Sequence, residues 1–373
     1  MSFHPLHRAA RNVNLPALHL AFFVTAITTE LCIRTQLYLT HYPQLGGHGL
    51  HIAHLLWGGL FMVVALAVLL SFLGRGARQF AAIVAGVGFG FFIDELGKFI
   101  TADNNYFFKP AAGIIYLIFI GLYLSSRAFQ RHRGLNEAER VRNAVELIGE
   151  ATQGPFKVEY RDQALALLAE VPTSNPLRAP LEALAGEIDT APNPNPPWYR
   201  RFADRVAADY AAWTERPWFH GAVIAVFAFW ALASVLAIVG LLFSFGFAGD
   251  AARAGFQEDS IPHLNFLNWA TLASTTVSAV FVVIGLTRLR HDRLDAYRWL
   301  SWALLVSIFV TRVFVFVESQ FGAVFGVAID VLLLISVRLM IKQESRRAAP
   351  APAAAAAPPP PRPAGESAAP APG

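Results

Sequence analysis

Three histidines, His48, His51 and His54, recur at one-turn spacing at the opening of an apolar segment, and the next apolar segment carries Asp94, Glu95 and Lys98 in the run GFFIDELGKF. At about 100° per residue, His51 and His54 lie about 60° apart on one side of a helix, and His48 extends that side by a turn. Imidazole and carboxylate are ligands suited to zinc, iron or manganese. A pair of histidines three residues apart, joined by a carboxylate from a second helix, supplies three ligands and leaves a position for water or substrate. An ion so held makes water a nucleophile near neutral pH, with a spare carboxylate as general base. The expected site therefore has His48, His51 and His54 as metal ligands, Asp94 and Glu95 as third ligand or base, and Glu30, Arg34, Lys98, Asp103 and Asn104 as orienting charges and dipoles. The expected cofactor is a divalent metal such as zinc or iron.

These groups need a scaffold, and composition says what kind. Of 373 residues, 55% are hydrophobic and only 15% charged, and the mean hydropathy is +0.44. A soluble domain carries about 25% charged residues, so the chain belongs in a bilayer. Apolar runs of about 20 residues, enough to cross about 30 Å of hydrocarbon, are expected at 17–39, 50–73, 80–100, 111–126, 219–245, 264–286, 299–317 and 322–341. The expected fold class is all-α, a polytopic membrane bundle of about eight helices with a small helical cytosolic insert. Its parts are helices one to four with the polar site (1–128), the insert (129–217), helices five to eight (218–342) and a disordered Pro/Ala-rich tail (343–373). Within the insert the pattern predicts helices over 136–152, 161–170, 177–188 and 198–215.

Arginine and lysine cluster before helix one, between helices two and three, in the insert, after helix six and at the C-terminus. By the positive-inside rule both termini and the insert are expected in the cytoplasm of a bacterial plasma membrane. The formal charge of +4 is then a property of membrane-flanking loops and calls for no nucleic acid. Helix one, with Glu30 and Arg34, lacks a small-residue cleavage site and reads as a retained anchor. The one cysteine, Cys32, excludes an intrachain disulfide and any cysteine metal motif.

With this orientation the titratable groups fall in the outer halves of helices one to three, and the inner halves are nearly free of them. That asymmetry points to a site open to the outside, where a lipid or lipid-linked substrate enters from the outer leaflet. Ionisable residues inside a membrane are costly and usually functional. The competing readings are a transporter or proton- or cation-coupled carrier, a sensor acting through its insert, and a charge-paired network that only locks the first three helices. Nothing in the sequence gives the oligomeric state.

His51 through Trp57-Gly58, the helix ending Phe92-Ile-Asp-Glu-Leu-Gly-Lys98, and Asp103-Asn104-Asn105-Tyr106-Phe107 resemble a family of uncharacterised multi-pass membrane proteins of actinobacterial type. The likeness covers nearly the whole chain apart from its tail, and it implies the fold without an activity. The chain is also faintly similar to the membrane hydrolases of the alkaline ceramidase and progestin-receptor-like group, which use Ser, Asp and three His. The paired histidines of a late helix in that group have no counterpart here.

Overall fold

The computed structural model describes residues 10–40, 53–103, 108–131, 134–191, 198–253 and 266–348. These residues are almost wholly helical: α1 (Leu15–Leu39), α2 (His54–Ser71), α3 (Arg75–Asp94), α4 (Leu96–Ile100), α5 (Pro110–Arg131), α6 (Glu137–Gly149), α7 (Val158–Ala169) and α8 (Arg178–Glu187), followed by α9 (Trp198–Thr214), α10 (Pro217–Arg253), α11 (Phe266–Arg288), α12 (Arg293–Val306), α13 (Arg312–Ser319) and α14 (Ala323–Ala348). Among the described residues, seven stretches are long and apolar enough to cross a membrane. The outward faces of these helices stay apolar, with Leu70, Phe229 and Phe325 all exposed, as lipid contact requires.

The seventh stretch, Arg293–Arg347, spans 55 residues and doubles back on itself. Its first leg is α12, a π-helical turn over Ser307–Thr311 and α13. Gln320 then takes a positive φ of 51°, a left-handed conformation that stops a helix of L-residues. Beyond it α14 returns along α12, and Arg312 on the first leg bonds Asp330 on the second.

Glycine sets the packing of the first three helices. α3 lies between α1 and α2 and touches each through bare backbone. Gly88 faces Gly58 of α2, while Gly86 and Gly90 face Phe22, Thr25, Ala26 and Thr29 of α1. Small residues one turn apart allow this approach where lipid supplies no hydrophobic force to drive helices together. The four-residue spacing of Gly86 and Gly90 is the signal that the sequence offers for it.

α5 packs antiparallel to the first leg of the hairpin. Gly113 meets Val317, Tyr116 stacks on Phe316 at 4.5 Å, and Tyr123 lies over Phe309. The end of α5 that leads into α6 therefore lies at the same face as the start of α12. Gln343 donates to Thr214, which brings the start of α10 and the end of α14 to that face as well.

α6, α7 and α8 close over their own apolar core of Leu147, Ile148, Phe156, Leu168 and Ala185. A two-residue parallel pair, β1 (Phe156–Lys157) with β2 (Thr190–Ala191), ties its ends together. α6 starts at a capping box in which Asn136 and Glu139 exchange bonds, the reciprocal arrangement that satisfies two free backbone donors.

The acidic face of α6 docks on the basic ends of α1 and α3. Glu139 accepts from the Arg11 guanidinium at 2.8 Å, Asn143 bonds the Val13 and Arg11 backbone, Glu146 pairs with Arg78, and Glu150 accepts from the Arg75 N–H at 2.9 Å. The arginines that mark this face of the bundle are thus the residues that hold α6 to it. The hydrogen bond from Arg11 holds the Glu139 carboxyl down to about 2 from an ordinary 4.5. A lowered carboxyl contributes stability that is complete above its unfolded value and is lost as pH falls toward the folded one. Urea unfolding followed from pH 7 to pH 3 is expected to show a midpoint that drops below about pH 4.5, and Glu139→Gln is expected to flatten that drop.

Candidate functional site

The expected site lies at the end of the bundle away from α6. The chain that would form one continuous helix over 80–100 instead breaks at Glu95, between α3 and α4. This break separates the two acidic neighbours and sends them to different partners.

Glu95 turns toward α2. The first residues of α2 have free N–H groups, and Ala53 before them has no side chain with which to cap. Glu95 fills that role from another helix, its Oε2 accepting the Leu55 N–H at 3.1 Å, where a carboxylate also complements the helix dipole. Its Oε1 faces His54 Nδ1 at 3.8 Å and Lys98 Nζ at 3.8 Å. These are ion-pair distances, too long for hydrogen bonds. Glu95 is 2% exposed, whereas His54 and Lys98 are each partly open to solvent.

Asp94 turns the other way and is fully buried. Arg34 of α1 approaches its Oδ1 with Nε at 2.6 Å, and Arg34 Nη2 donates to the Asp94 carbonyl at 2.7 Å. The guanidinium also lies 4.5 Å from the centre of the Phe321 ring, so Arg34 joins α1, α3 and the hairpin turn. Glu30, one turn before Arg34, is buried and feels both charges.

In the structure Lys98, beyond the break, pairs with Glu95, while Arg34 pairs with Asp94. Asp103 is exposed beyond α4. His48, His51 and Asn104 lie outside the described residues. The structure therefore unites His54, Glu95 and Lys98 in one cluster and Glu30, Arg34 and Asp94 in another. Among the described residues no three His, Cys, Asp or Glu side chains form a metal-holding group.

A third polar cluster closes the hairpin. Asp330 accepts from Arg312 at 2.7 and 3.0 Å and from Ser307 at 2.8 Å. Arg312 also donates to the Gly326 carbonyl at 3.0 Å, and a Cβ at Gly326 would lie 2.1 Å from this guanidinium. The π-helical turn beside it departs from the regular ladder, and Tyr116 of α5 donates to its Ile308 carbonyl at 2.8 Å. The pairing of Arg312 with Asp330 is not among the sequence expectations. The available signal was that they stand equidistant from Phe321, as partners across a hairpin must.

No family profile, no curated protein and no solved structure matches this chain.

Proposed function

We propose that the chain crosses the plasma membrane eight times, the doubled-back seventh stretch counting twice, and hydrolyses a lipid or lipid-linked substrate at the His54–Glu95 site. The arginines around the docked α6 support a cytoplasmic position for that face by the positive-inside rule. The site then opens to the outside.

The observation that carries this reading is the placement of His54 Nδ1 and Glu95 Oε1 3.8 Å apart. Two ligands of a tetrahedral zinc with bonds of about 2.1 Å lie about 3.4 Å apart, so a shift of a few tenths of an ångström suits them to one ion. His51, one turn before His54 in sequence, is the third ligand in this reading. A divalent ion held there would bring water to reactivity near neutral pH.

The remaining roles follow from the chain's own groups. The backbone bond from Leu55 fixes one oxygen of Glu95 and leaves the other toward His54 and Lys98. Lys98 supplies positive charge where an anionic substrate or transition state would need it. Arg34 and Asp94 hold α1 against the end of α3 beneath the site.

Metal analysis of the purified protein tests this. The wild type is expected to retain close to one zinc or iron per chain after dialysis, and a His51→Ala/His54→Ala double variant to retain almost none. Equal metal in both would sink the proposal.

A further inference from the structure

A cavity of about 130 Å³ lies at the joint between the two halves of the membrane region, bounded by α1, α5, the end of α13 and the start of α14. It is lined by Glu30 and Ile27 from α1, Ile115 and Phe119 from α5, Phe316 from α13 and Val327 from α14, among others, and by none of His54, Glu95 and Lys98. Its walls are almost entirely apolar. A cavity of similar size, about 150 Å³ with hydrocarbon walls, stays dry and takes up benzene.

Two polar side chains reach this lining. Tyr116 has already given its hydroxyl to the Ile308 carbonyl. Glu30 is only 4% exposed, and its buried Oε1 has no hydrogen-bond partner among the described residues. A buried acceptor left unmade is costly, and a buried charge more so.

What completes such a place is a donor with a positive charge on a small hydrocarbon body. We propose that the Glu30 cavity is a binding site for small lipophilic amines, with the ammonium on Glu30 Oε1 and the apolar body against Phe119, Phe316 and Val327. The Glu30 oxygen then has a donor, and the hydrocarbon meets apolar wall. Ile27, on the lining, is 41% exposed on the outer surface of α1. That side of the cavity faces the lipid tails, so a membrane-dissolved amine enters sideways. The site is separate from His54 and Glu95 and does not depend on a metal there.

Titration calorimetry with benzylamine in detergent tests the proposal, with benzyl alcohol as the neutral probe of the same shape. Benzylamine is expected to bind saturably and about 10- to 100-fold more tightly than benzyl alcohol, the range for a hydrogen bond between charged partners. Glu30→Gln keeps the shape and removes the charge, and is expected to weaken benzylamine by a similar factor. Val327→Phe fills the cavity from the opposite wall and is expected to abolish binding of both probes while Glu30 stays intact. It carries the test if Glu30→Gln fails to fold in a melting control. Equal affinity for amine and alcohol, unchanged affinity in folded Glu30→Gln, or unchanged binding in Val327→Phe would each overturn the assignment.

Discussion

Replacing Arg34 by methionine is expected to destabilise the protein by about 3–5 kcal/mol, the usual result of stranding one member of a buried ion pair. Asp94 has no exposure at all, so water cannot take over the role of the guanidinium. Arg34 does two things there. It balances the Asp94 carboxylate, and it donates to the Asp94 carbonyl at the end of α3, where carbonyls have no partner further along the helix. Methionine fills a similar volume and supplies neither. Asp94→Leu should be damaging for the complementary reason, since it leaves the largely covered guanidinium of Arg34 with no carboxylate to answer it. The double variant Arg34→Met/Asp94→Leu removes both charges and is expected to be less damaging than the sum of the single changes by 2 kcal/mol or more, as pairs replaced by apolar groups commonly are. Thermal or denaturant unfolding in a fixed detergent reads all three. Additive losses would mean that the pair does not act as a unit.

Gly58→Ala is expected to cost about 2–3 kcal/mol or more through overpacking, although alanine is the better helix former. A Cβ at Gly58 would come within 2.6 Å of the Phe92 nitrogen and 2.7 Å of the Gly88 carbonyl oxygen. Both are backbone atoms and cannot rotate aside, so α2 and α3 must separate. The separation would pull the Leu55 N–H from Glu95 and so disturb the polar cluster as well. Gly59 is the internal control, because a Cβ there meets nothing within 4 Å. Gly59→Ala should be neutral or gain up to about 1 kcal/mol from helix propensity. Melting temperatures of the two variants in the same detergent compare the contact with the propensity directly. Equal melting temperatures would show that the α2–α3 contact is looser than described.

Much of the architecture could be read from the chain because a bilayer makes strong demands. Apolar runs such as 111–126 and 264–286 had to be helices, and the breakers at Gly154-Pro155 and Pro172 had to divide the segment that became α6 to α8. Gly86 and Gly90 announced the close approach of a neighbour. The less legible features are those in which one helix completes another. Glu95 caps α2 because Ala53 cannot, and that relation exists only once the two ends meet. The break at Glu95 was hidden because residues 80–100 contain no proline and suit a continuous helix. Glu30 and Arg34 stand four apart on one helix, the spacing of a local pair, but the partner that defines Arg34 is Asp94, sixty positions away. Helical spacing ranks neighbours on one helix and is blind to what crosses from another. The cavity at Glu30 follows from the same limit, since its walls come from four separate elements.

Zinc-edge X-ray absorption on the zinc-loaded protein tests most directly whether His54 and Glu95 hold a metal ion together. The expected signal is a four-coordinate ion at about 2.0–2.1 Å with imidazole scattering. That scattering should weaken in His54→Ala, and an oxygen ligand should be lost in Glu95→Gln, while Glu30→Gln leaves the spectrum unchanged. A spectrum of water ligands alone, or one that neither His54→Ala nor Glu95→Gln alters, would contradict the account.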